Sequence, residues 1–159
     1  MRLSIENIKN KSLTLLPLIL LIYISLTGNT IINFKFFAVN INYIFIYFWV
    51  LKNPKILGYG FIFLSGIFTD VIFGLPIGIS ALTLLVISLA AAYLRAVTVR
   101  PSLFFDWISF IPTLLIANFI YFISLYFLNY SIDYLNLIKD SAFTFAFYPI
   151  FWIIFLKQT

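Results

Sequence analysis

Apolar runs separated by short polar breaks divide the chain into six segments, at about 13–27, 39–51, 56–73, 77–94, 104–128 and 141–156. A helix needs about 20 apolar residues to cross a bilayer. The fifth segment meets that length, the third and fourth come near it, and the second is short. The breaks are Gly28–Asn40, with Lys35 and several asparagines, then Lys52-Asn53-Pro54-Lys55, and Arg95 to Pro101. Residues 129–140, NYSIDYLNLIKD, read as a polar loop. The first segment follows a basic start (Arg2, Lys9, Lys11), as a secretory signal peptide would. Ser25-Leu26-Thr27-Gly28-Asn29 does not fit a small-residue cleavage site, so an uncleaved membrane helix is expected. The pattern predicts an all-α integral membrane protein: one transmembrane domain over 1–159, a compact bundle of six transmembrane helices.

Composition supports that class. Hydrophobic residues make up 64% of the chain and charged residues 9%, against roughly 25% charged in soluble domains; the mean hydropathy is +1.11. The net charge of +5 is scattered singly and in pairs between apolar spans, as topology signals are, so a nucleic-acid partner is not expected. Eight Lys/Arg fall in the tail, the 52–55 and 95–103 breaks and the C-terminus, and two (Lys35, Lys139) on the opposite side. This asymmetry places both termini in the cytoplasm. Cysteine and histidine are absent, which removes disulfides, thiolate metal sites and the commonest general base.

One carboxylate, Asp70, stands inside the third segment, where an acid costs about 3 kcal/mol or more near a helix centre. Ser65, Gly66, Thr69 and Asp70 fall at i, i+1, i+4 and i+5 and share one helical face. That small, polar face is expected to lie against another helix, whose backbone approaches Gly66 closely. Gly74-Leu75-Pro76-Ile77-Gly78 reads as a tight helix–helix turn, glycine allowing positive φ and proline fixing its own. Two roles are open for Asp70: accepting hydrogen bonds from turn amides or from the Ser65 and Thr69 hydroxyls, or meeting an ion, substrate or partner. If it serves hydrogen bonding, Asp70→Asn is expected to retain most assembly and Asp70→Leu to lose it.

Elsewhere the chemistry is sparse. No phosphate-binding glycine loop, metal cluster or nucleophile–base pair stands out, so neither enzyme activity nor a cofactor or metal is expected. Ser109, Thr113, Ala117, Tyr121 and Ser124 form a stripe on the fifth segment with Asn118 beside it, read as interhelical contacts ahead of a ligand site. Asp106-Trp107 reads as an interfacial anchor, and Asp133, Lys139 and Asp140 as a solvated loop.

Phe48-Trp49-Val50-Leu51-Lys52-Asn53-Pro54 leads into Gly66-x-x-x-Asp70, then Gly74-x-Pro76-x-Gly78-x-x-Ala81-Leu82. This ordered set resembles the bacterial rod shape-determining protein MreD family, and Tyr148-Pro149-Ile150-Phe151-Trp152 resembles that family's closing helix. The resemblance implies a non-enzymatic scaffold subunit of the cell-elongation machinery in the bacterial inner membrane. Its expected partners are MreC, MreB and the peptidoglycan synthases of lateral wall growth, with a homodimer as a further option. It also implies a fold similar to the substrate-binding subunits (S-components) of energy-coupling-factor transporters. The alternative function is therefore a small-molecule, vitamin-type uptake subunit. Gly66, Asp70, Gly74, Pro76, Gly78, Asn118, Pro149 and Trp152 are the structural or partner-contact candidates.

Overall fold

The computed structural model describes residues 16–27, 33–34, 37–54, 56–98, 102–130 and 133–156. Six helices lie among them: α1 (Leu16–Leu26), α2 (Ile41–Lys52), α3 (Tyr59–Phe73), α4 (Ile79–Val97), α5 (Leu103–Phe127) and α6 (Tyr134–Leu156). Before α2, β1 (Asn33–Phe34) and β2 (Phe37–Ala38) form a two-residue antiparallel ladder, with Asn33 opposite Ala38. The expectations for the N-terminal tail, for Lys35 and for the end of the chain at Lys157 fall outside the described residues.

By length and composition α4, α5 and α6 can each cross a membrane, and α1, α2 and α3 are shorter. Their outward faces carry large apolar side chains that water would not tolerate in such density, among them Phe61, Phe68, Leu89, Leu115, Phe119 and Ile153. These faces suit lipid.

The brevity of α2 has a packing explanation. Every residue from Ile41 to Leu51 is buried, so this 12-residue helix is the core of the bundle and has no lipid-facing side. It is flanked by α4 and α6. A short, largely apolar helix suits such a place. Tyr47 and Phe110 of α5 pack with tilted rings 4.7 Å apart, and Tyr148 of α6 lies 4.9 Å from Phe110. Phe45 and Phe48 both pack on Phe155. The Asn42 amide donates to the Ser25 hydroxyl at 3.2 Å, which ties α1 to the core.

Local signals set the helix ends. The Asn40 side chain caps α2 through the Tyr43 amide, and the helix stops at Asn53 before Pro54. Ser102 caps α5 in the same way, through the Phe105 amide. The last helix differs from expectation, because α6 begins at Tyr134 and absorbs most of the polar stretch 129–140. Asp133 explains this: its carboxylate accepts from the Asn136 amide at 3.3 Å and from the Asn136 side chain at 2.6 Å. That is a helix N-terminal cap, with the polar residues forming a first turn and not a loop.

Candidate functional site

The α3–α4 pair forms the most extensive helix contact in the molecule, and its join gathers the central sequence motif. Gly66 meets the α4 backbone: a Cβ on it would stand 2.5 Å from the Ala81 nitrogen. No side chain fits there. Helix α3 ends at Gly74 in the left-handed region (φ 63°), where the Leu75 amide reaches back to the Asp70 carbonyl at 2.9 Å, a Schellman-type closure. The Tyr130 hydroxyl donates to the Gly74 carbonyl at 2.9 Å. Pro76 follows, half-buried, and Gly78 (φ 108°) opens α4 without a side chain to cap it.

Asp70 supplies the missing cap. Its Oδ2 accepts from the Gly78 amide at 2.7 Å and its Oδ1 from the Ser80 amide at 2.9 Å. A carboxylate at a helix N-terminus also opposes the positive end of the dipole. Asp70 is fully buried, so protein groups and not water satisfy it. Of the two hydrogen-bonding sources expected, the turn amides are used. The Ser65 and Thr69 hydroxyls donate instead to the carbonyls of Ile62 and Ser65. Both carboxylate oxygens accept N–H donors, so an asparagine here would turn its NH₂ toward one of the two amides.

At the same end of the bundle, a half-open cavity of about 340 Å3 lies among the N-termini of α2, α4 and α6 and the C-terminal parts of α3 and α5. Asn40, Tyr43, Thr69, Ser80, Asn118 and Tyr121 are among its lining residues, with Asp140, Ser141 and Thr144 from α6. Several of these polar groups are already engaged. The Asn118 side chain donates to Ser141 Oγ at 2.7 Å, an interhelical bond of the kind expected for it. Asp140 accepts from the Ala38 amide at 3.0 Å, and Thr144 from the Asn40 amide at 2.9 Å. Asp140 therefore anchors the β-ladder and is not a solvated loop residue. The stripe of Thr113, Ala117 and Tyr121 faces inward or half-inward.

The opposite end holds a second polar cluster. Asp106 is 2% exposed and pairs with Lys52 at 2.9 Å. It also accepts from the Trp152 indole at 3.3 Å, while its backbone carbonyl takes the Tyr47 hydroxyl at 3.1 Å. The Lys52 ammonium lies 5.5 Å from the Trp152 ring centre, and Arg95 donates to the Lys52 carbonyl. Asp106 is thus a buried structural ion-pair partner, correcting the reading of an interfacial anchor. Trp107 likewise stacks on Phe145 and donates to its carbonyl.

The structure therefore brings Gly66, Asp70, Gly74, Pro76 and Gly78 together, puts Asn118 in the nearby cavity wall, and sends Trp152 to the far cluster. Pro149 sits half-buried within α6, apart from both. The Lys52–Asp106 pair and the place of Tyr43 in the cavity wall went unread in the sequence. Lys52 and Asp106 are 54 positions apart, and only a break residue and a helix-start residue mark them. Comparison of the chain with protein-family models, curated proteins and solved structures found no match in any of the three.

Proposed function

We propose that this protein is a non-enzymatic, multi-pass subunit of the bacterial cell-elongation machinery, working in the cytoplasmic membrane through helix contacts with partner membrane proteins. The observation that carries the reading is the convergence of Gly66, Asp70, Gly74, Gly78 and Ala81 into one lock between α3 and α4. Of the residues that resemble the MreD family, Gly66, Asp70, Gly74, Gly78 and Ala81 each have a structural reason to be at this join. Six membrane crossings with both termini cytoplasmic follow in this reading from the charge asymmetry. Helices α1, α2 and α3 complete their crossings as inner or tilted members of the bundle. The apolar outward faces of α3 and α5 are then the surfaces offered to partner helices such as that of MreC.

Affinity purification from native membranes in mild detergent tests this. Recovery of the elongation proteins with wild type, and their loss from a variant that stays folded but carries bulky changes on an outward face, is the expected result. Recovery of an energy-coupling ATPase module in their place would favour the second reading, a small-molecule uptake subunit. One observation speaks for that reading: the polar-lined cavity beside Asp70, whose volume lies at the low end of the about 300–1,000 Å3 of small-molecule sites.

A further inference from the structure

At the end of the bundle away from Asp70, α2 and α4 finish and α5 begins around a small pocket of about 260 Å3, lined by Leu51, Lys52, Arg95, Thr98 and Asp106. Lys52 and Asp106 hold each other there at 2.9 Å, which leaves the Arg95 charge unmatched among the described residues. Arg95 is exposed and uses one guanidinium N–H on the Lys52 carbonyl at 2.9 Å. A guanidinium carries five such donors, and the others find no partner among the described residues. The two chain breaks at this end add only positive charge, because 52–55 and 95–103 also hold Lys55 and Arg100 and contain no Asp or Glu. Large apolar and aromatic side chains stand beside these charges. Tyr93, Val97 and Phe104, near the end of α4 and the start of α5, are 69%, 61% and 67% exposed. Trp107 follows Asp106 in α5, and the Trp152 indole donates to the Asp106 carboxylate. Basic groups edged by exposed Tyr and Trp are the pattern of a membrane–water interface.

We infer that this pocket binds the phosphate of an anionic membrane lipid, held by Arg95 with Lys52 behind it, while the lipid's chains run along the exposed faces of α4 and α5. The planar fork of an arginine matches two phosphate oxygens at once. The Lys52 ammonium has donors beyond the one it gives Asp106. The Asp106 carboxylate, which alone would repel an anion, is already met by Lys52 and the Trp152 indole. The volume is below the about 300–1,000 Å3 of sites that enclose a whole small molecule, so it suits a single head group whose remainder stays outside. A lipid supplies that remainder: its chains cover the apolar side chains flanking the charges, as a soluble anion would not. Basic pockets between membrane helices at the bilayer surface take anionic head groups in this way. The inference needs only that the bundle sits in a bilayer, and it stands with either reading above.

The full chain in phosphatidylcholine nanodiscs, labelled with a trace of phosphatidylglycerol carrying a diazirine near its head group, tests it. Labelling is expected between Leu94 and Ile108. Unlabelled phosphatidylglycerol should displace it at least about five-fold more effectively than phosphatidylethanolamine, the worth of one basic residue at an anionic membrane surface. Arg95→Gln should lower the labelling by about the same factor. Lys139→Gln, an equal change of charge on an exposed residue at the far end, should leave it unchanged. Equal loss in the two variants would overturn the inference, because it would mark general attraction and not a site. Labelling spread along the outward faces of the helices would also overturn it. Equal competition by the two lipids would do the same and leave the pocket to an acidic segment of a partner protein. Complete displacement by glycerol phosphate in the buffer would overturn it in favour of a soluble phosphate. If Arg95→Gln does not fold, the place of labelling and the lipid competition in the wild type still decide.

Discussion

At Asp70 a fully buried carboxylate is accommodated by giving each of its oxygens an amide that α4 could not otherwise satisfy. Gly78, needed for its positive φ, brings no capping side chain, so the cap comes from eight residues upstream. Removing it leaves the buried Ser80 N–H and the half-buried Gly78 N–H unmet, at about 1–3 kcal/mol for a buried group. Asp70→Leu is expected to lose the folded fraction in detergent, and Asp70→Asn to melt between Leu and wild type, because an amide offers one acceptor. Thermal unfolding followed by size-exclusion chromatography reads both; an Asn variant as stable as wild type would mean that one bond suffices. At the other end, Lys52→Met strands the nearly buried Asp106, and unpaired buried charges cost about 3–5 kcal/mol. Adding Asp106→Leu to Lys52→Met is expected to restore most of the lost melting temperature. A double variant no better than the single would show that Asp106 is held mainly by Trp152. The face shared by Gly66 and Asp70 was legible because helical periodicity fixes it from four neighbouring residues. The Lys52–Asp106 pair was not, since nothing local indicates which of many separated charges will meet.

Among the elements, α2 shows why span length alone misleads. Its twelve residues looked too few for a crossing helix, and the structure surrounds it with protein, where bilayer thickness does not set its length. Composition could not have distinguished it from the lipid-facing helices, because both are rich in large apolar residues; the difference lies in which neighbours cover them. Phe48→Ala, within α2, is expected to cost about as much as aromatic truncations in protein cores, about 3–5 kcal/mol. Phe119→Ala, on the lipid face of α5 and 63% exposed, is expected to shift stability by no more than about 0.5 kcal/mol. Comparable losses at both sites would contradict the core assignment of α2. The early start of α6 was written in Asp133 and Asn136, a capping pair three residues apart. It was masked in the sequence by the density of polar residues that usually marks a loop.

For the whole molecule, the alternation of helices puts Lys52, Arg95 and Asp106 at one end and Asp70, Asp133 and Asp140 at the other. The charge asymmetry of the sequence predicts that the Lys52–Arg95 end faces the cytoplasm. With no native cysteine, a cysteine at Ser131 is expected to react with an impermeant maleimide in intact spheroplasts, and one at Thr98 only after permeabilisation. The reverse pattern would invert the bundle. Helical class and the approximate segments were legible from hydropathy, whereas the cavity was not, because it is assembled from five helices whose polar residues look like isolated contacts in the chain.

The most direct test of the proposed role is depletion of the protein in its native host, followed by pulse labelling of new wall with a fluorescent D-amino acid. Lateral labelling is expected to disappear and the cells to round up, with both restored by wild type and not by a folding-defective Asp70→Leu. Rod-shaped cells with undiminished lateral labelling, accompanied by a loss of small-molecule uptake, would contradict it.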